Sequence, residues 1–285
     1  MKKNINIFST LCFAVFLISC SKTAFEPIGS EISSVSFINA SPSQSPLGAQ
    51  IFVDDSLQTN TLSSSIVGYL ASTSYLGIKS GTHKISIENR AANPKLVYAT
   101  LNPNLEAGKA YSYFMYDTLD TKGQARVLTL TDDLSLPEDG KTKVRFLNLA
   151  IDRPSFDVTL VRITAFADTS GRPAVSSVSR EVAVDSVTFA NQLYVGSSPD
   201  ISNLSKFVSI AGSTGNPVTI QANGVANVPA ANRNNRYIIK LKNPGTQTVV
   251  AQTTAVQLNA GRIYTIIARG NAKGQALGIS VITQF

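Results

Sequence analysis

Val35-Ser-Phe-Ile-Asn39 and, 109 positions later, Val144-Arg-Phe-Leu-Asn148 are the same short strand written twice. Each alternates apolar residues with others over a β-strand's period of two, and each is followed by a turn. Working outward, QIFVDD (50–55) follows the first copy and FDVTLV (156–161) the second. Toward the far end, LEAGKAYSYF (105–114) returns as LNAGRIYTII (258–267), with Gly108 matching Gly261 and Tyr111 matching Tyr264. Repetition of an opening, a following strand and a close, in one order, predicts two tandem copies of one unit.

Between those landmarks the first copy holds YLGIK (75–79), HKISIE (83–88), LVYATL (96–101), YSYFMY (111–116) and RVLTLT (126–131), rich in β-branched and aromatic residues. Turn clusters such as Lys79-Ser80-Gly81 and Thr121-Lys122-Gly123 separate them. The second copy holds KFVSIA (206–211), PVTIQA (217–222), RYIIKLK (236–242), TVVAQTTAVQL (248–258) and ALGISVI (276–282). No long stretch keeps a 3.6-residue apolar period. The fold expected is all-β, as two tandem immunoglobulin-like β-sandwich domains at 35–131 and 143–285. Residues 132–142, DDLSLPEDGKT, read as a linker by composition. The stretch near 165–203 reads as an insertion peculiar to the second copy, carrying strand-like EVAVDSVTF (181–189).

Ahead of both copies, Lys2 and Lys3 precede an apolar run from Leu11 to Ile18. A basic start, a short apolar middle and a small residue at the end make a secretory signal, expected at 1–19. The run is well below the roughly 20 residues needed to span a bilayer. Leu17-Ile18-Ser19-Cys20 resembles a bacterial lipobox. Only a thiol accepts a diacylglyceryl group, and two or more acyl chains hold a protein stably on a membrane. Cys20 is therefore the expected lipidation site and 20–34 a tether. The expected location is the cell envelope, lipid-anchored at the outer membrane, facing either the periplasm or the surface.

Of the two cysteines in the 285-residue chain, Cys12 falls in the signal and Cys20 takes lipid. No disulfide is then expected, and stability rests on apolar burial and strand pairing. One histidine, His83, excludes the usual zinc sites. It precedes Ile85 and Ile87 on one strand face and reads as a rim histidine rather than a catalytic one. No metal, cofactor or catalytic residue is expected. The acidic pairs Asp54-Asp55, Asp132-Asp133 and Glu138-Asp139 have the oxygens for Ca²⁺ or for glycosidic hydrolysis, but lack Ca²⁺-loop spacing and a partner group, and read as solvated turns.

Charge is unevenly placed. Residues 20–142 carry 9 basic and 12 acidic side chains, whereas 143–285 carry 14 basic and 6 acidic. In RYIIKLK, period two buries Tyr237, Ile239 and Leu241 and puts Arg236, Lys240 and Lys242 together on the other face, with Arg233 just before them. Such a stripe suits an anionic glycan or an envelope protein, or else is an ordinary solvated face with edge lysines. No stacking aromatic or helical reader accompanies it, so nucleic acid is not the expected partner.

The V-x-F-hydrophobic-N openings at Val35-Phe37-Asn39 and Val144-Phe146-Asn148, with the Leu-x-Ala-Gly-x-x-Tyr closes, carry a family resemblance. With the lipobox, they resemble bacterial lipoproteins bearing tandem copies of the 4397 family of domains of unknown function. The resemblance implies all-β sandwiches outside the inner membrane and supplies no reaction. The expectation is a non-enzymatic, lipid-anchored binding module, possible ligands being anionic glycans. The alternatives are a structural subunit of an envelope assembly and, with less support, an enzyme acting on polysaccharide.

Overall fold

The computed structural model describes residues 31–42, 48–58, 66–89, 92, 94–151, 153–167, 179–197, 201–204, 206–213, 235–271 and 275–284. The expected strand PVTIQA (217–222), the signal and residues 20–30 of the tether lie outside the described residues, while the last tether residues, 32–34, already belong to the first strand. The regular secondary structure of the described residues is nearly all strand, and no helix among them is long and apolar enough to cross a membrane.

The first copy contains β1 (Ile32–Asn39), β2 (Gln50–Val53), β3 (Ser56–Gln58), β4 (Leu76–Lys79), β5 (Gly81–Thr82) and β6 (Ile85–Asn89). It continues with β7 (Leu96–Leu101), β8 (Asn104–Leu105), β9 (Ala110–Tyr116) and β10 (Arg126–Asp132). The second contains β11 (Lys141–Asn148), β12 (Ser155–Ala167), β13 (Ser179–Leu193), α1 (Ile201–Leu204) and β14 (Val208–Ala211). It ends with β15 (Arg236–Lys242), β16 (Val249–Gln252), β17 (Val256–Gln257), β18 (Ile263–Asn271) and β19 (Gln275–Thr283). All seven strands expected in the first copy are present.

Pairing shows the repeat more fully than sequence does. One sheet of the first copy runs β10-β9-β1-β4, and β19-β18-β11-β14 reproduces it. The other runs β3-β2-β6-β7, and β13-β12-β15-β16 reproduces that. Even the unusual parallel pair recurs in register. Val35 faces Tyr111 and Phe37 faces Tyr113, while Val144 faces Tyr264 and Phe146 faces Ile266.

The immunoglobulin-like strand order is not the one observed. That order sets the first, second, fifth and fourth strands in one sheet and the third, sixth and seventh in the other. Here, leaving out two-residue strands, each copy sets its first, fourth, seventh and eighth strands together, with the first between the fourth and seventh. Alternation in single strands gives the face of each residue but not its neighbour.

Much of the stretch near 165–203 belongs to a longer version of a hairpin that the first copy also has, since β13 pairs β12 as β3 pairs β2, and α1 lies at its end. EVAVDSVTF lies within β13, as expected.

Each copy closes on its own core. Val35, Phe37, Tyr111 and Tyr113 meet Ile51, Ile85, Ile87 and Tyr98 in the first. Val144, Phe146, Tyr264 and Ile266 meet Val158, Leu160, Ile239 and Leu241 in the second. A third apolar layer joins the copies. Ile38, Ala40, Phe114, Leu128 and Leu130, on the other face of the first copy's parallel sheet, pack with Leu147, Leu149, Ile267 and Ile282 of the second. The two parallel-paired sheets thus lie in the middle, and their central strands β1, β9, β11 and β18 are buried on both faces. This explains why VRFLNLAI and YSYFMY are nearly continuous apolar runs, as strands covered on both sides are.

Candidate functional site

The motifs that carry the resemblance turn out to build corners. Gly108 and Gly261 have φ of 72° and 75°, the left-handed region that glycine enters at no steric cost. Three residues on, the Tyr111 hydroxyl accepts the Glu106 backbone N–H at 3.2 Å, and the Tyr264 hydroxyl accepts that of Asn259 at 3.0 Å. Asn39 Oδ1 accepts the Ser41 N–H and Asn148 Oδ1 the Ala150 N–H, turning the chain after each opening strand. These residues shape the fold.

The basic stripe is the surface feature that sequence singled out, and β15 forms as expected. Tyr237, Ile239 and Leu241 are buried, and Arg236, Lys240 and Lys242 lie on the opposite face, half-buried. β15 is an inner strand, flanked by β12 on one side and by β16 and β17 on the other. Its lysines therefore do not guard a sheet edge. Across the face, Lys240 stands beside Thr159, which stands beside Thr188, and beyond Lys240 lies Gln252. Alternate residues along a strand are about 6.8 Å apart at the backbone, so the two lysines leave the sheet as near neighbours. Lys242 Nζ donates to Gln247 Oε1 at 2.8 Å and stands opposite Asp157. Backbone N–H groups of Asn191 and Gly245, bonded to the Asp157 carboxylate, hold it below the usual carboxylate range. Thr159 and Ile163 on this face are buried, so the face is open only in part. Arg233 and Cys20 lie outside the described residues.

The acidic pairs divide. At the β2–β3 turn, Asp54 Oδ2 lies 2.7 Å from His83 Nδ1, its Oδ1 accepts the Lys84 N–H, and Asp55 pairs with Lys84 Nζ at 3.0 Å. The bond to His83 and that from Lys84 hold the Asp54 carboxyl below its ordinary range. His83 Nε2 lies 2.6 Å from the Lys79 carbonyl, so the ring clasps the turn and is the rim histidine expected. Among the described residues no group of three or more His, Cys, Asp or Glu side chains is placed to hold a metal ion.

Asp132 is a correction. Expected in a solvated linker, it ends β10 with its carboxylate wholly buried, 2.5 Å from the equally buried guanidinium of Arg145. Arg145 Nε donates to Thr265 Oγ1 and Nη2 to Gln284 Oε1, while the guanidinium lies over the rings of Phe114 and Phe207. Asp132 Oδ2 also accepts the hydroxyls of Tyr75, at 2.6 Å, and Ser112. Burial first, then the Asp132 charge, pushes the Tyr75 hydroxyl far up, so it stays a donor. Sequence reasoning missed this network. Its signal was a charge in the near-continuous apolar strand VRFLNLAI.

Among curated proteins, none matches this chain in sequence. Of solved structures, one from Parabacteroides distasonis ATCC 8503, described as a "putative cell adhesion protein", shares 8% identity over 89% of this chain and 98% of its own, with a TM-score of 0.21. A leucine-rich repeat protein from Bacteroides thetaiotaomicron VPI-5482 shares 9% identity over 87% of this chain, with a TM-score of 0.17, and the match spans 27% of its own length. At these scores neither bears on fold or function. Residues 33–159, from β1 into β12, match the family model of a domain of unknown function (DUF4397), the family that the paired motifs resemble.

Proposed function

We propose that the chain is a lipid-anchored, non-catalytic binding module of the cell envelope, whose second copy binds anionic glycans through the outer face of β15. The observation that carries this is the alignment of Arg236, Lys240 and Lys242 on one face of an inner strand. Cations there have no edge to protect, and they sit in the half of the chain that carries the excess of positive charge. Partly exposed cations beside hydroxyl and amide side chains suit an acidic, hydroxylated polymer: charge draws the ligand and hydrogen bonds select it.

Binding to a sulfated or uronic-acid polysaccharide should weaken steeply with salt. Lys240→Glu with Lys242→Glu should abolish it while leaving the thermal melt near that of the parent. Calorimetric titration at low and high salt measures this. Binding that ignores both the salt and the substitutions would refute the glycan reading.

The anchor is tested separately. Cys20→Ser should abolish incorporation of labelled palmitate and release the protein from the membrane fraction. Labelling that survives the substitution would end the lipoprotein reading.

A structural subunit meeting partners by strand addition is favoured by one feature, the 15-residue edge strand β13. Register irregularities near Val184 and at Ala190–Asn191 interrupt that edge, as bulges do on edges protected against pairing. Glycan binding is the better-supported reading.

A further inference from the structure

The surface joining the two copies is the same surface on each. With Val35 equivalent to Val144 and Tyr111 to Tyr264 by register, Ile38 matches Leu147, Ala40 matches Leu149 and Phe114 matches Ile267. Thr131 faces Tyr111 and Thr283 faces Tyr264, so Leu130 matches Ile282 and Asp132 matches Gln284. Leu76 faces Val35 and Val208 faces Val144, so Tyr75 matches Phe207. Each of these apolar pairs contributes both members to the shared layer between the copies. One patch meeting its own counterpart is the signature of a two-fold dimer interface, here formed within a single chain.

The symmetry is broken where charge enters. Arg145 occupies the position of Ser36, and Asp132 that of Gln284. Pairing first copy with second brings Arg145 against Asp132. Two first copies joined through this surface would bury Asp132 with no cation, and two second copies would bury Arg145 with no anion. Each arrangement leaves unpaired charge in an apolar layer.

We propose that this surface is a dimer interface internal to the chain, able to hold the copies together without their covalent connection. We further infer that the Arg145–Asp132 pair restricts it to the other copy. The cation–acid contact thus selects the partner, and the apolar layer supplies the adhesion.

The test is to cut the connection. Leu136 is exposed, as are Glu138 and Asp139, so a protease recognition sequence placed between Leu136 and Pro137 in the full chain is accessible. After cleavage, native mass spectrometry should show one species, a first half bound to a second half. Halves that separate on cutting, or that re-pair with their own kind, overturn the proposal. In the cut protein Arg145→Asp, which sets acid against Asp132, should raise the dissociation constant of the halves at least about 30-fold. An unchanged constant would overturn the selecting role of the charge pair. Should that variant fail to fold, Arg145→Ser, the side chain that the first copy has at this position, takes its place with the same direction expected.

Discussion

Arg145→Ala is expected to cost the fold about 3–5 kcal/mol, more than any surface substitution in this chain, because it strands a buried carboxylate. The Asp132 carboxylate is 0% exposed and the Arg145 side chain 1%, so water does not replace the lost partner. Truncation also removes hydrogen bonds to Thr265 and Gln284 and uncovers one face each of Phe114 and Phe207. The cost comes from the unpaired partner rather than from any large net worth of the ion pair. Removing both charges, as Arg145→Met with Asp132→Leu, should therefore recover more than half of the loss. The remaining polar groups can serve one another, since the Tyr75 hydroxyl already reaches Gln284 Oε1 and Gln284 Nε2 already donates to Ser112 Oγ. Urea denaturation of Arg145→Ala and of the double variant measures this directly. A double variant no more stable than Arg145→Ala would mean that the pair holds the interface by its own attraction.

How much of this was legible beforehand follows from which interactions are local. RYIIKLK announced the buried and outward faces of β15, because alternation belongs to the strand itself. The two Ala-Gly turns and the tyrosines after them were readable as corners, since both bonds span only five residues. The order of strands was not readable, because β1 pairs with β9 across more than seventy residues and no residue in either strand names the other. Arg145 shows the same limit at the site level. A cation on the second face of a strand reads as solvated until another sheet is known to cover that face. The cover was hinted at by the neighbouring Leu147 and Leu149, apolar where a one-sided strand would be polar. Reading both faces of the opening strands would have revealed the third apolar layer. It would not have revealed Asp132, which seemed the first residue of an acidic linker and is the last of β10.

Phe37→Ala and Phe146→Ala, equivalent substitutions in the two cores, are each expected to cost about 3–5 kcal/mol and to move one common unfolding transition. Phe37 is 2% exposed and stacks on Tyr113 with ring centroids 5.3 Å apart, a contact that adds about 0.5–1.5 kcal/mol beyond the area buried. Phe146 is 5% exposed and faces Ile266 across the parallel pair, so its loss should fall lower in the range. The common transition follows from the shared layer. If the first copy unfolded alone, it would leave Leu147, Leu149, Ile267 and Ile282 of the second facing water, along with an Arg145 whose acid had gone. Neither half then keeps its stability when the other is lost, and damage to one core is felt in both. Hydrogen exchange along a urea series distinguishes the cases, because peptides from β9 and from β18 report on each copy separately. Coincident loss of protection, displaced equally by either substitution, is the expected result. Two separate transitions, with only the altered copy displaced, would show that the buried middle layer does not bind the copies into one cooperative unit.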